Sequence, residues 1–317
     1  MSVPKALERI GGIQAQYAPA MYIGLWSRVA GVERVALTRA LERRSVIQAT
    51  LMRATIHLVS RADYWPLTAA IRAERRAWWE RTHRQADPKR ARAAGKRLRA
   101  FLAGRPRRWK EIQERFGRED ALAAAQYVDL VRVPPSGTWE QRRADLYGLA
   151  EEWIGPDEAD EQKGLDLLVR RYLGGFGPAT PAEVADFGMV SIKRVRGALE
   201  GMELRRFRGE DGKELVDLPR APLPDPDTPA PPRFLPVWDA TLLVHARRTQ
   251  ILPEEHRTKV FSIKTPNSVS TFLVDGQVAG TWRYDRDRIR IEPFGRIART
   301  AQRELGEEAE RLAAFHR

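Results

Sequence analysis

Thr180-Pro-Ala-Glu-Val-Ala-Asp-Phe-Gly188, then Ser191-Ile-Lys-Arg-Val-Arg-Gly-Ala-Leu-Glu200, then Leu204-Arg-Arg-Phe-Arg-Gly-Glu-Asp-Gly-Lys-Glu-Leu-Val-Asp-Leu218, is the stretch that decides the fold. Thr180 is an N-cap, and Pro181 takes the first helical position, where its missing N–H costs nothing. Glu183 completes a capping box. The helix ends near Gly188, and Ser191 is placed to cap the next one. There Ile192, Val195, Leu199 and Met202 recur at helical spacing, so they share one apolar face. Lys193, Arg194 and Arg196 project from other faces. Leu204–Arg208 and Lys213–Leu218 flank a Gly-Glu-Asp-Gly turn and read as a β-hairpin. Helix, turn, basic helix and hairpin make a winged helix.

The same order recurs toward the N-terminus. A helix over about Val32 to Arg44 precedes two extended runs, Ser45–Met52 and Ala54–Ser60, rich in the Ile, Val, Leu and Thr that strands prefer. A third copy is weaker: helices at Trp109–Phe116 and Asp120 to about Val128, then a wing from Val131 to Tyr147 through Pro134-Pro-Ser-Gly137. Between them, Ala62 to Ala103 reads as long, Arg-rich helical structure. Pro219 to Pro232 is a proline-rich acidic-polar linker. Phe234 to Arg317 alternates short strands and turns, with Asp275-Gly276 as a hairpin signal, and closes in a helix from about Gly295 to Phe315. The expected fold is therefore α+β, three tandem winged-helix modules followed by a small β-rich domain. The expected segments are residues 1–82, 83–155, 156–218, the linker 219–233, and 234–317.

The chain has 317 residues, 43% hydrophobic and 31% charged, which describes a globular protein of several compact units. Lys and Arg number 55 against 42 Asp and Glu, a formal net charge of +13. An excess of that size points to a polyanionic partner, because each neutralised phosphate releases condensed counterions. The absence of cysteine excludes disulfides, thiolate catalysis and Cys-ligated metals. The five histidines show no metal-ligand spacing, so no metal is expected. The start has no signal pattern, and no apolar run approaches about 18 residues. A cytoplasmic monomer is expected, with no membrane partner.

Within the first segment, residues 1–82, lies Gln14-Ala-Gln16, preceded by Gly11-Gly12 and followed by Ile47-Gln-Ala-Thr-Leu-Met-Arg-Ala-Thr-Ile-His-Leu-Val-Ser60. With Gly24-Leu-Trp26, Asp63-Tyr-Trp65 and Phe234-Leu-Pro-Val-Trp-Asp239, then Leu242-Leu243 and Arg248, these segments resemble the winged-helix DNA glycosylases of the AlkZ/YcaQ type. The likeness runs in order over nearly the whole chain. It implies three tandem winged helices and a C-terminal β-barrel around a DNA groove, in a bacterial, nucleoid-associated enzyme without cofactor. It also implies a basic, leucine-rich helix ahead of the Gln pair, which here begins at position 14.

The implied activity is excision of alkylated bases from double-stranded DNA, including the unhooking of interstrand crosslinks. Catalytic roles then fall on Gln14 and Gln16. On an ideal helix, residues two apart point roughly 200° from each other, whereas an extended segment lets both serve one spot. Pro19 and Gly11-Gly12 disfavour a helix here. The alternative is that one amide meets the substrate while the other braces it. A glutamine takes up no proton near neutral pH, but it orients water and sets a carbonyl dipole beside developing positive charge. An N7- or N3-alkylated purine is already cationic and departs as a neutral base, so positioning and electrostatics suffice. With no lysine singled out for a Schiff base, the expected enzyme is monofunctional.

Arg53, Thr55 and His57 alternate along one expected strand, which suits phosphate or lesion contact and equally suits wing packing. Lys193, Arg194 and Arg196 suit phosphate contact, or are surface charge. Asp239, Tyr22, Trp26 and Trp65 read as structural. A non-catalytic regulator built from several winged helices fits the charge and modules equally well, but gives Gln14 and Gln16 nothing to do.

Overall fold

The computed structural model describes residues 1–83, 87–243, 248–261 and 268–317. Parts of the expected long helical segment (84–86) and of the C-terminal domain (244–247 and 262–267) lie outside the described residues, as does the side chain of Arg248. The chain forms two compact units: residues 1–18 with 37–221, and residues 19–36 with 222–317.

The first unit opens with α1 (Val3–Arg9) and β1 (Ile13–Gln14), while α2 (Ala18–Trp26) and α3 (Arg34–Glu42) span its boundaries. Then come β2 (Val46–Thr50), β3 (Ile56–Ser60), α4 (Arg61–Thr82) and α5 (Pro88–Leu102). The next group is β4 (Arg107–Arg108), α6 (Trp109–Phe116), α7 (Arg118–Ala124), β5 (Leu130–Arg132), β6 (Leu146–Leu149) and α8 (Ala150–Ile154). The unit ends with α9 (Glu161–Phe176), α10 (Pro181–Gly188), α11 (Ile192–Glu200) and a hairpin of β7 (Arg205–Arg208) and β8 (Glu214–Asp217).

The decisive stretch folds as its chemistry dictates. Glu183 N–H donates to Thr180 Oγ1 at 3.3 Å and Thr180 N–H donates to Glu183 Oε2 at 2.7 Å, so the capping box is closed. Ser191 holds the N-cap position of α11 but makes no side-chain cap; its N–H donates instead to Glu74 Oε1 at 3.0 Å. Val195 and Leu199 are buried, whereas Ile192, in the first turn, is exposed.

The first six strands join in one antiparallel sheet, ordered β1-β3-β2-β5-β6-β4. The seam is short, with Gln48 opposite Arg132 and Ala49 opposite Val131. It nevertheless buries Ile47, Ala49 and Val131 together. Helices α5, α6 and α7 cover part of this sheet through Leu98, Leu102, Ile112 and Ala124, packed with Leu130 and Leu149. Helices α4 and α9 pack so closely that a Cβ on Gly164 would collide with the Pro66 carbonyl. Asp63 clamps the same pair, accepting from Arg171 Nε and Nη2, both at 2.8 Å.

The second unit contains β9 (Arg233–Leu235), α12 (Ala240–Leu243), α13 (Arg257–Val260), β10 (Thr271–Val274), β11 (Gln277–Asp285), β12 (Arg288–Pro293) and α14 (Arg299–His316). The Asp275-Gly276 turn has positive φ at both positions (50° and 75°), as a type I′ hairpin requires. The expected barrel is a correction: the described strands form an open four-stranded sheet, β12-β11-β10-β9. Closure would need its two edge strands to pair. Instead α14 packs against both of them, burying Leu305 and Leu312. A second element of this unit is the Arg28–Asp239 pair, bonded Nη1–Oδ2 at 2.9 Å and Nη2–Oδ1 at 2.7 Å. No helix among the described residues is long and apolar enough to cross a membrane.

Candidate active site

The Gln pair sits where a helix gives way to a strand. Gly11 and Gly12 turn the chain out of α1 with φ of 69° and 84°, a region that costs other residues energy. A Cβ on Gly12 would also stand 3.0 Å from the Leu58 carbonyl oxygen, so the glycine lets β1 approach β3. The segment is therefore extended, as the reading against a helix required. Gln14 pairs with His57 across the ladder, and Ala15 N–H donates to Ile56 O at 2.7 Å.

The two amides are held differently. Gln14 is buried, and its Oε1 accepts from Arg53 Nη2 at 3.1 Å. Its Nε2 has no hydrogen-bond partner among the described residues. Gln16 is exposed, and its Oε1 accepts from Ile56 N–H at 3.2 Å, so the side chain extends the bonding to β3 one step past Ala15. Between them, buried Gln48 donates from Nε2 to Ala15 O at 3.3 Å. Both candidate catalytic carbonyls are thus anchored by the single run Arg53 to His57.

That run differs from the expected strand alternation. Arg53 and Ala54 lie in a tight turn with φ of 53° and 54°, and β3 begins only at Ile56. Arg53, Thr55 and His57 still meet, but through the turn. Arg53 Nη2 faces His57 Nε2 at 3.3 Å, and its Nη1 donates to Phe187 O at 3.3 Å. His57 Nδ1 lies 3.1 Å from Thr55 O, a pure acceptor, so Nδ1 carries the proton and Nε2 receives from Arg53. Thr55 Oγ1 donates to Met52 O at 3.1 Å, closing the turn.

Burial and then the neighbouring Arg53 charge push the His57 imidazole down to about 3, against the favour of its bond to Thr55. It is neutral at physiological pH and too weak a base to take a proton from water. Burial also lowers Arg53, to about 10, which leaves it cationic. The arrangement can therefore orient and polarise, but holds no residue poised for proton transfer among these groups.

Lys193, Arg194 and Arg196 do not bond to this cluster. Lys193 and Arg196 are exposed on α11. Arg194 is engaged internally, donating to Ala70 O at 3.1 Å and Glu161 Oε1 at 2.7 Å, with Glu74 at 3.5 Å. Sequence reasoning missed Gln48, the Ile56 N–H and the Phe187 carbonyl. Main-chain groups carry no side-chain signature, and Gln48 looks like any polar residue in an apolar strand.

Residues 7–315 match the family model described as DNA glycosylase AlkZ-like. The chain belongs to the AlkZ-like DNA glycosylase family and is a DNA glycosylase, an enzyme of DNA repair. Among solved structures it is similar to the Streptomyces sahachiroi DNA glycosylase AlkZ, with a TM-score of 0.82 and 20% identity over 100% of this chain and 91% of that one. That likeness establishes the shared fold. No curated protein sequence matches the chain.

Proposed function

We propose that this glycosylase hydrolyses the N-glycosidic bond of cationic N-alkylated purines in duplex DNA, unhooking crosslinks among them, with Gln14 and Gln16 as its catalytic residues. The observation that carries this reading is the pair of glutamine carbonyls anchored on one turn, Gln14 by Arg53 and Gln16 by the Ile56 amide. Each anchored carbonyl keeps a second lone pair, and the Gln14 amide keeps its two donors. Together they suit holding the attacking water and lowering the energy of an oxocarbenium-like sugar.

Arg53 fixes the orientation of Gln14. A guanidinium is a poor neighbour for a forming sugar cation, so its charge is matched to the anionic DNA strand and its geometry to the amide. Because the leaving base is already cationic, no general acid is required, in keeping with a neutral His57. The chemistry is monofunctional. Lys193 and Arg196 are free to meet phosphates, in keeping with the three-winged-helix reading of the chain. The enzyme acts as a cytoplasmic monomer on the nucleoid.

The test is release of 7-methylguanine from a defined duplex, repeated on a duplex with an N-alkylpurine crosslink. Turnover on either, with weak salt-sensitive binding to undamaged duplex, is expected. No release from both, with tight binding to one sequence, favours a regulator instead.

A further inference from the structure

The first unit holds a second polar concentration, which none of Gln14, Gln16, Arg53 or His57 lines. It is a cavity of about 250 Å³ bordered by Thr50, Arg75, Asp129, Arg132, Trp109 and Tyr147. Two guanidiniums converge there on one residue. Arg75 Nη1 donates to Thr50 O at 2.8 Å, and Arg132 Nη1 donates to Thr50 Oγ1 at 2.9 Å. Arg75 is 6% exposed and Arg132 7%. Their Nε–H groups are both buried and donate to no acceptor. A buried donor left without a partner costs free energy, and a buried charge without one costs more.

The charges do not balance. Asp129 lies 3.6 Å from Arg75 Nη2 and 3.1 Å from Arg72 Nη2, and Asp157 also pairs with Arg72. Three arginines (Arg72, Arg75 and Arg132) therefore share two carboxylates, and Arg76 stands close enough to add to the same field. Burial, offset in part by Asp129, together with the neighbouring Arg72 and Arg132 holds the Arg75 guanidinium below its usual range. The other wall is aromatic: Trp109 and Tyr147 have ring centroids 5.1 Å apart, and the Arg132 guanidinium sits 4.5 Å from the Tyr147 ring. The volume falls just under the range of about 300–1,000 Å³ typical of drug-sized ligands.

We propose that this cavity is a binding site for a small aromatic carboxylate, with the acid group at Arg75 and Arg132 and the ring against Trp109 and Tyr147. An anion supplies the charge that the cluster lacks, while the aromatic wall favours an organic body over a bare oxyanion. The site adjoins the candidate active site through one strand end, since Thr50 closes β2 three positions before Arg53.

Titration calorimetry of the full chain with benzoate, benzamide and inorganic phosphate tests the assignment. Benzoate binds saturably, and both neutral benzamide and phosphate bind at least about tenfold more weakly. Arg132→Gln removes a cation. Leu122→Trp adds bulk at a residue that lines the cavity yet is 40% exposed, so it is tolerated by the fold even if Arg132→Gln is not. Each folded variant, checked by circular dichroism, weakens benzoate by about tenfold or more. Equal binding of benzoate and either comparison probe would overturn the proposal, as would an unchanged affinity in the folded variants. Displacement of benzoate by undamaged duplex would overturn it too, by making the cavity a contact for DNA phosphate.

Discussion

Arg53 Nη2 lies 3.1 Å from Gln14 Oε1 and 3.3 Å from His57 Nε2, so one nitrogen ties the candidate catalytic amide to a buried, uncharged imidazole. If Arg53 orients Gln14, Arg53→Met lowers the single-turnover rate of base release by about tenfold or more, equivalent to about 1.4 kcal/mol of barrier. Methionine meets the positive φ at this position much as arginine does, so the backbone strain is common to both. Arg53→Lys recovers little, because a point charge cannot reproduce the fork that serves Gln14 and Phe187 together. Duplex affinity, measured in parallel, changes less than the rate. A loss confined to affinity would instead make Arg53 a phosphate contact.

The depressed His57 makes stability depend on pH. In the unfolded chain its pKa is near 6.5 and in the fold about 3, so between these values the unfolded state binds more protons. The contribution of neutral His57 is complete above 6.5 and is lost as pH falls toward 3. Between pH 7 and pH 5 this group alone removes at most about 2 kcal/mol. Urea unfolding at the two pH values should show a larger drop in wild type than in His57→Gln. Equal drops would contradict the burial of an uncharged imidazole.

On α11 the three basic residues separate by partner. Lys193→Gln and Arg196→Gln each reduce the salt slope of duplex binding by about one, as for a lost phosphate contact, and leave melting within about 1 °C. Arg194→Gln breaks bonds to Ala70, Glu74 and Glu161, so it lowers thermal stability and barely alters the slope. Salt titrations of binding and melting curves of the three variants check the division.

In the second unit, Asp239 is held by two bonds from Arg28 and accepts from Thr241 N–H at 2.9 Å. Burial raises its carboxyl, but Arg28 more than offsets this and holds it below the usual carboxylate range. Asp239→Asn leaves a largely buried guanidinium short of its charge partner and costs about 3 kcal/mol, read as a lower urea midpoint. Replacing both partners with apolar residues should recover much of that loss, whereas an additive double loss would deny that the pair is coupled.

How much of this was legible follows the range of the interactions. Thr180 and Glu183 lie three residues apart, and the capping box they announce is present. Trp109–Phe116 was legible as a helix to the residue, because its periodicity and flanking turns are local. Asp275-Gly276 specified its own turn. The pairing of Gln48 with Arg132 was not legible, since β2 and β5 are more than eighty residues apart and neither carries a mark of its partner. The C-terminal strands were visible one by one, but their openness depends on α14 covering the edges. At the site, glycines and a proline marked an extended Gln14 segment. The turn at Arg53 was invisible because left-handed arginine has no sequence signature, and so the convergence of Arg53 on Gln14 emerged only from the fold.

The most direct measurement is single-turnover release of 7-methylguanine by wild type, Gln14→Ala and Gln16→Ala, with duplex affinity recorded for each. The account predicts a loss of about a hundredfold in rate for either substitution, or about 2.7 kcal/mol, at near-constant affinity. Wild-type rates in both variants would contradict it and remove the catalytic role from the glutamine pair.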